Sequence, residues 1–151
     1  LHDAHFQNLE VSGDTTHGGD TTVGGALTCS LGSQNSAVTR TATLLGDGTG
    51  TIAAGTSFVT VTSNNTNHII TLPAPVVGNI IHLAVGGNGY KLRSSNPTDI
   101  KINGGSGNNA ESAIGADVLV RCICTSSTSW IATQFNASGT ESAVAAPTPA
   151  T

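Results

Sequence analysis

From about Ala37 onward the chain is cut at short intervals by residues that turn or break regular structure. The interruptions are Gly46-Asp47-Gly48, Asn64-Asn65, Pro73-Ala74-Pro75, Gly86-Gly87-Asn88-Gly89, Asn96-Pro97 and a long Asn103–Asn109 loop. Between them lie the runs Ala37–Leu45, Ser57–Thr62, His68–Leu72, Asn79–Val85, Tyr90–Arg93, Asp99–Ile102, Asp117–Cys124 and Ser129–Phe135. Phe58, Val59 and Val61, then Ile69, Ile70 and Leu72, are bulky or β-branched residues that pack well on a pleated surface. No helical pattern of about 10–15 residues separates the runs, and only Asn109–Ala116 could form a helical turn. The spacing predicts an all-β fold, an antiparallel sandwich or jelly roll over residues 37–136. Ile70, Leu72, Ile81, Leu83, Leu119, Ile123 and Trp130 are its expected core.

Composition supports this class. Charged residues make up 9% of the 151-residue chain against a usual value of about 25%, and Thr, Ser, Asn and Gly take their place. Such a surface suits pleated sheets and contact with neighbours, because few charges have to be desolvated. With five Lys or Arg and a net charge of −4 there is no phosphate-binding stripe, so nucleic acid is not an expected partner. No apolar run approaches the roughly 20 residues of a membrane helix. Leu1-His2-Asp3-Ala4-His5-Phe6 has neither a basic n-region nor an apolar h-region, so no signal peptide is expected. Leu1 itself points to a processed terminus or a fragment boundary.

Residues 1–36 follow a different period. Glycine-led turns return every six residues in Ser12-Gly13-Asp14-Thr15-Thr16-His17, Gly18-Gly19-Asp20-Thr21-Thr22-Val23 and Gly24-Gly25-Ala26-Leu27-Thr28-Cys29. Positions two apart form a candidate inward column of Leu9, Val11, Thr15, His17, Thr21, Val23 and Leu27. A few such rungs cannot bury a core alone, whereas three chains around one axis can, so a homotrimeric stem is expected. The competing reading is a flexible Gly-Thr linker. His17 falls in the column, where three copies could meet at a metal. A stacked or hydrogen-bonded histidine is the preferred reading, and no metal or other cofactor is assigned.

The remaining motifs argue against catalysis. Neither glycine-rich loop opens a helix or is followed by a Lys-Ser/Thr pair, so phosphate cradles fail and tight hairpin turns are expected. His68 and His82 sit in neighbouring runs that Asp99 or Asp117 could approach, but no nucleophile elbow accompanies them. The nine acids are scattered singly, leaving no carboxylate pair. Cys122 and Cys124 share a face of one run and read as small buried core residues, not as a bridge. Trp130 reads as core, although it and Tyr90 could instead be receptor contacts. The chain is therefore not expected to be an enzyme. The tail, residues 137–151, is rich in Ala, Pro and Thr, and its Val144, Pro147 and Pro149 join Leu1 and Phe6 as candidate anchoring residues.

The stretch from His68 to Gln134 carries a recognisable pattern. It includes Ile70-Thr71-Leu72-Pro73-Ala74-Pro75, Gly89-Tyr90-Lys91-Leu92-Arg93-Ser94-Ser95, Ile102-Asn103-Gly104-Gly105, Ala110-Glu111-Ser112-Ala113-Ile114, Val120-Arg121-Cys122-Ile123-Cys124 and Trp130-Ile131-Ala132. This block resembles β-domains of virion structural proteins, of decoration or fibre type, from marine phages, cyanophages and large algal viruses. The N-terminal repeat is similar to trimeric fibre stems of phage. Together the resemblances imply a location on the particle surface and viral capsid or fibre proteins as partners. The expected function is a trimeric capsid decoration (cement) or head-fibre protein. The alternatives are the receptor-binding tip of a tail fibre, with loops such as Asn103–Asn109 contacting host surface glycan, and a secreted host adhesin.

Overall fold

The computed structural model describes residues 37–149. The stem column Leu9, Val11, Thr15, His17, Thr21, Val23 and Leu27 and the arm residues Leu1 and Phe6 lie outside the described residues. Among the described residues ten strands form: β1 (Val38–Thr41), β2 (Phe58–Thr62), β3 (Ile69–Thr71), β4 (Ile80–Val85), β5 (Tyr90–Arg93), β6 (Lys101–Ile102), β7 (Ser112–Ile114), β8 (Leu119–Ser126), β9 (Ser129–Phe135) and β10 (Glu141–Ala143). The only helical element among the described residues is a 3₁₀ turn at Gly48–Gly50. The all-β class holds, and the helical turn considered for Asn109–Ala116 is replaced by β7.

Two sheets face each other. The larger runs β1-β2-β4-β8-β9-β10, with β6 also paired to β9, and the smaller runs β3-β5-β7. The pairing is not the antiparallel one expected. β1/β2, β2/β4, β3/β5 and β6/β9 are parallel. The chain alternates between sheets, passing from β2 to β3 and then from β4 to β5, so successive passes stack. Thr51 bridges Thr71 in parallel, giving the pass that begins at β1 its contact with the small sheet. Paired residues lie 20 to 24 positions apart: Val38 on Val59, Val59 on Leu83, Ile69 on Lys91, Thr51 on Thr71. This is the spacing of a flattened coil. From β8 onward the neighbours along the large sheet pair antiparallel, while β6 joins β9 in parallel.

Gly86–Gly89 therefore joins β4 of one sheet to β5 of the other, and Asn103–Asn109 joins β6 to β7 across the same gap. Both are corners between sheets, where hairpins were expected. The tight hairpin is β8–β9, with a bulge between Cys124 and Ser126. A second close corner covers β3. Thr43 bridges Ile69, and Gly46 (φ 71°) lies so close that an added Cβ would come within 2.6 Å of Ile69 Cγ2. Only glycine fits that combination of conformation and contact.

The core lies between the sheets. Val59, Val61, Ile81, Leu83, Val120, Cys122, Cys124 and Trp130 point in from the large sheet, and Ile70, Tyr90, Leu92 and Ile114 from the small one. Of the expected core, Ile70, Leu72, Ile81, Leu83 and Trp130 are buried. Leu119 and Ile123 are not: the expected core drew on both phases of this run, and the phase that buries Cys122 and Cys124 turns Leu119 and Ile123 outward, where they are half-buried. A one-residue shift turns every side chain of a strand over. In Asp117–Cys124 the apolar residues stand at both phases, and the two thiols, small and apolar, took the inside.

The C-terminal segment belongs to this body. β10 pairs with β9, Val144 is buried, and its N–H donates to Ala132 O at 3.1 Å. Asn103 (φ 49°) ties the segment down. Its Nδ2 donates to Ala132 O at 2.8 Å and Val144 O at 2.6 Å, while its Oδ1 accepts from Ala132 N–H at 2.8 Å. Ser112 Oγ donates to Ala145 O at 2.7 Å, and Glu111 N–H to Thr148 O at 3.2 Å. A Cβ on Gly105 would lie 2.5 Å from Pro147 O. Val144 and Pro147 are thus enclosed by their own chain, while Pro149 is exposed beside Gly107. The segment has little apolar bulk, as the sequence shows. What orders it is the satisfaction of its carbonyls, which offsets a backbone cost of about 1–2 kcal/mol per residue.

Two substitutions test this description. Leu83→Ala should cost about 2–5 kcal/mol in urea unfolding, the range for a core cavity, and Leu119→Ala on the outer face should cost far less. Asn103→Ala should cost about 1–3 kcal/mol by stranding buried backbone groups. It should also speed hydrogen exchange at Val144 N–H, and unchanged protection there would show that Asn103 does not hold the segment.

Candidate functional site

The pleat that buries one side of β4, β8 and β9 places Ile80, Ile123 and Ile131 on the other. These three are direct cross-strand partners, Ile80 on Ile123 and Ile123 on Ile131. They form one aliphatic row across three strands of the large sheet. Ile80 is 44% exposed and Ile131 43%. The next row holds Phe58, His82, Arg121, Thr133 and Ala143, with Phe58 and His82 stacked at 6.3 Å between ring centroids. The third holds Thr60, Ala84, Leu119, Phe135 and Glu141. At the open end of the first row, Gly78 N–H donates to Cys124 O at 3.0 Å, fixing a loop that exposes Val76 and Val77.

Two kinds of charge stand on this face: Arg121 pairs with Glu141, and exposed Lys101 lies at its edge, paired with Ser129 on the same side as Ile131. Arg121 leans away from the isoleucine row, setting its guanidinium 5.4 Å from the Phe135 ring centroid and 2.9 Å from Glu141 Oε1. Toward β1 the same face turns polar, with Thr39, Thr41, Thr60 and Thr62 exposed and Thr41 and Thr62 hydroxyls 2.9 Å apart. A sheet that shows threonine on one half and isoleucine on the other has two kinds of environment on one side.

A separate cleft of about 330 Å³ lies where β2 and β4 end, lined by Thr60–Ser63 and Val85–Asn88. Its rim is hydroxyl and amide, with Asn88 Nδ2 donating to Ser63 O at 3.2 Å. It carries no charged group.

The residues weighed for chemistry lie apart. His82 is on the outer face of the large sheet, whereas His68 precedes β3 of the small one. Among the described residues no group of three or more His, Cys, Asp or Glu converges. Cys122 and Cys124 are buried free thiols on one face, as expected. Burial pushes Cys122 up to about 12 and raises Cys124 as well, so neither presents a reactive thiolate. Tyr90 and Trp130 are fully buried and belong to the core, which removes both as receptor contacts. Burial also raises the Tyr90 hydroxyl well above its ordinary value, with a smaller push from Cys122.

No protein-family model, curated protein or solved structure matches this chain.

The isoleucine row was not singled out from the sequence, though a signal was there. Ile80-Ile81, Leu119-Val120 and Trp130-Ile131 are doubled apolar pairs, which mark strands that are apolar on both faces.

The raised thiol carries a pH consequence. Below the unfolded value of 9.0 the neutral thiol is common to both states and its contribution is intact. Between 9.0 and about 12 only the unfolded state loses the proton. Stability should therefore fall through that window by about 1.4 kcal/mol per pH unit from this one group. Tyr90 should add to the loss from above its ordinary value of 10.0. Urea midpoints measured across the window should flatten in Cys122→Ala. An equal slope in that variant would remove Cys122 as a source.

Proposed function

We propose that this chain is a virion structural protein, a trimeric capsid decoration (cement) or head-fibre protein that binds the outside of a viral shell. The observation that carries this is the apolar row of Ile80, Ile123 and Ile131 on the outer face of the large sheet, a surface suited to contact with protein. A chain with 9% charged residues desolvates little when it packs. The coil supports the same use. Parallel passes can be extended strand by strand, and the antiparallel strands β8–β10 stop that extension on one side. The virion-like block His68–Gln134 and the six-residue repeat of the first 36 residues point the same way. With Val144 and Pro147 enclosed, attachment to a shell is assigned to Leu1, Phe6, Pro149 and the sheet faces.

A tail-fibre tip that contacts host glycan is the second reading, and the cleft at Thr60–Ser63 and Val85–Asn88 favours it. Its uncharged hydroxyl and amide rim suits a neutral sugar. The Asn103–Asn109 loop, expected to serve that role, is engaged by the C-terminal segment instead.

Native mass measurement of the full chain should give three copies. Antibody raised against it should label purified particles on the head surface in electron microscopy. Label confined to fibre tips would select the second reading, and particles free of the chain would refute both.

A further inference from the structure

Among the described residues an asparagine stands directly before a glycine twice, at Asn88-Gly89 and at Asn103-Gly104. Asparagine is a thermolabile residue, and a following glycine exposes it most, because no side chain shields the backbone nitrogen that attacks its amide. In both pairs the glycine N–H is in no hydrogen bond among the described residues, so the asparagine side chains decide between them. Asn103 is half-buried and held at both ends of its amide. Its Oδ1 accepts from Ala132 N–H at 2.8 Å, and its Nδ2 donates to Ala132 O at 2.8 Å and Val144 O at 2.6 Å. Attack on that amide has to wait until the set is broken. Asn88 is exposed and makes a single side-chain bond, from Nδ2 to Ser63 O at 3.2 Å, which leaves its Oδ1 to solvent.

We infer that Asn88 is a site of spontaneous covalent modification, where the folded chain converts its own asparagine to aspartate and isoaspartate. The step needs only water and base. Gly89 N gives its proton to hydroxide and attacks Asn88 Cγ. That C–N bond forms while the Cγ–Nδ2 bond breaks, and Nδ2 leaves as ammonia with a proton from water. Water then opens the cyclic imide at either carbonyl, giving aspartate or, with the backbone rerouted through the side chain, isoaspartate. Nothing is oxidised or reduced. The corner between β4 and β5 permits the motion. Gly86 and Gly87 lead into Asn88 with open space where a Cβ would stand, whereas Gly89 is fixed with its Cα side against Ile114 O. Asn88 can therefore swing about a stationary nucleophile. The product alters the cleft at Thr60–Ser63 and Val85–Asn88. A carboxylate at position 88 has no N–H to give Ser63 O, so a tie becomes a repulsion between two acceptors. A negative charge also enters a rim that had none. None of this depends on either reading of the function.

The full-length chain tests this when aged in mildly alkaline buffer, short of the window in which Cys122 weakens the fold, with a parallel sample in urea. Cleavage after Lys91 and Lys101 puts the two sites in different tryptic peptides. Mass spectrometry then reads each conversion separately, from the mass gain of amide to acid and the uptake of heavy oxygen from labelled water. In the folded chain Asn88 should convert at least about ten-fold faster than Asn103, since reaction at Asn103 waits on three hydrogen bonds. In urea the two rates should converge. Asn88→Gln, whose longer side chain closes the ring poorly, should remove the product at that position and its acidic species on ion exchange. Equal rates at the two sites in the folded chain would overturn the inference. So would an intact Asn88 over the time in which the urea-treated chain converts. A ratio that persists unchanged in urea would trace the difference to neighbours in sequence and not to the fold, and this too overturns it.

Discussion

Parallel strands cannot be joined by a tight turn, because the chain has to travel back before it can run forward again. In this protein the way back is itself structural. Between β2 and β4 the chain crosses to the small sheet as β3, and after β4 it crosses again as β5. Once Val59 is held between Val38 and Leu83, both sheets are committed together, and the space between them has to be filled from both sides. Leu83 and Ile81 meet Ile70, Leu92 and Tyr90 there because the winding leaves them no other place. The corners follow from the same demand. Gly46 exists at its position because the first pass must press against Ile69 to close the edge of β3.

A coil of this kind has ends, and the last third of the chain deals with one of them. β8, β9 and β10 add antiparallel strands beside β4. The C-terminal segment is then drawn back over the β6–β7 corner by Asn103, Ser112 and the backbone of Glu111. Asn103 carries this because one planar amide satisfies three backbone groups from two elements. Near the segment's attachment to the small sheet, Arg93 pairs with Glu111 and also donates to Leu45 O at 3.2 Å, so one guanidinium connects the corner that follows β1 to the start of β7.

The sequence declared where strands begin and end, but not which way they run. Breakers such as Pro73-Ala74-Pro75 and Gly86–Gly89 mark turns whether the next strand returns beside its predecessor or crosses to another sheet. Alternation such as Phe58-Val59-Thr60-Val61 reads alike in both cases. Phase was legible in β4, where Ile81, Leu83 and Val85 alternate with smaller or polar neighbours. It was lost in β8, where Leu119, Val120, Cys122, Ile123 and Cys124 offer an apolar residue to either face. The loss concealed the candidate site as well. Placing Leu119 and Ile123 inside leaves no aliphatic row outside, so the error in phase and the missing surface are one error. What orders the tail was not legible for another reason: its order comes from backbone carbonyls, which a search for apolar bulk does not register.

The winding also fixes when the domain can be completed during synthesis. Chains leave the ribosome from the N-terminus, at about 5–20 residues per second. β2 can pair with β1 early, and β4 with β2. The other edge of β4 then waits for β8, and β9 waits for β10, while the β6–β7 corner stays uncovered until residues 144–149 arrive. Until then Val120, Cys122 and Trp130 have no finished interior to enter. The body can therefore close only once residues 144–149 have been made, however early its first strands pair.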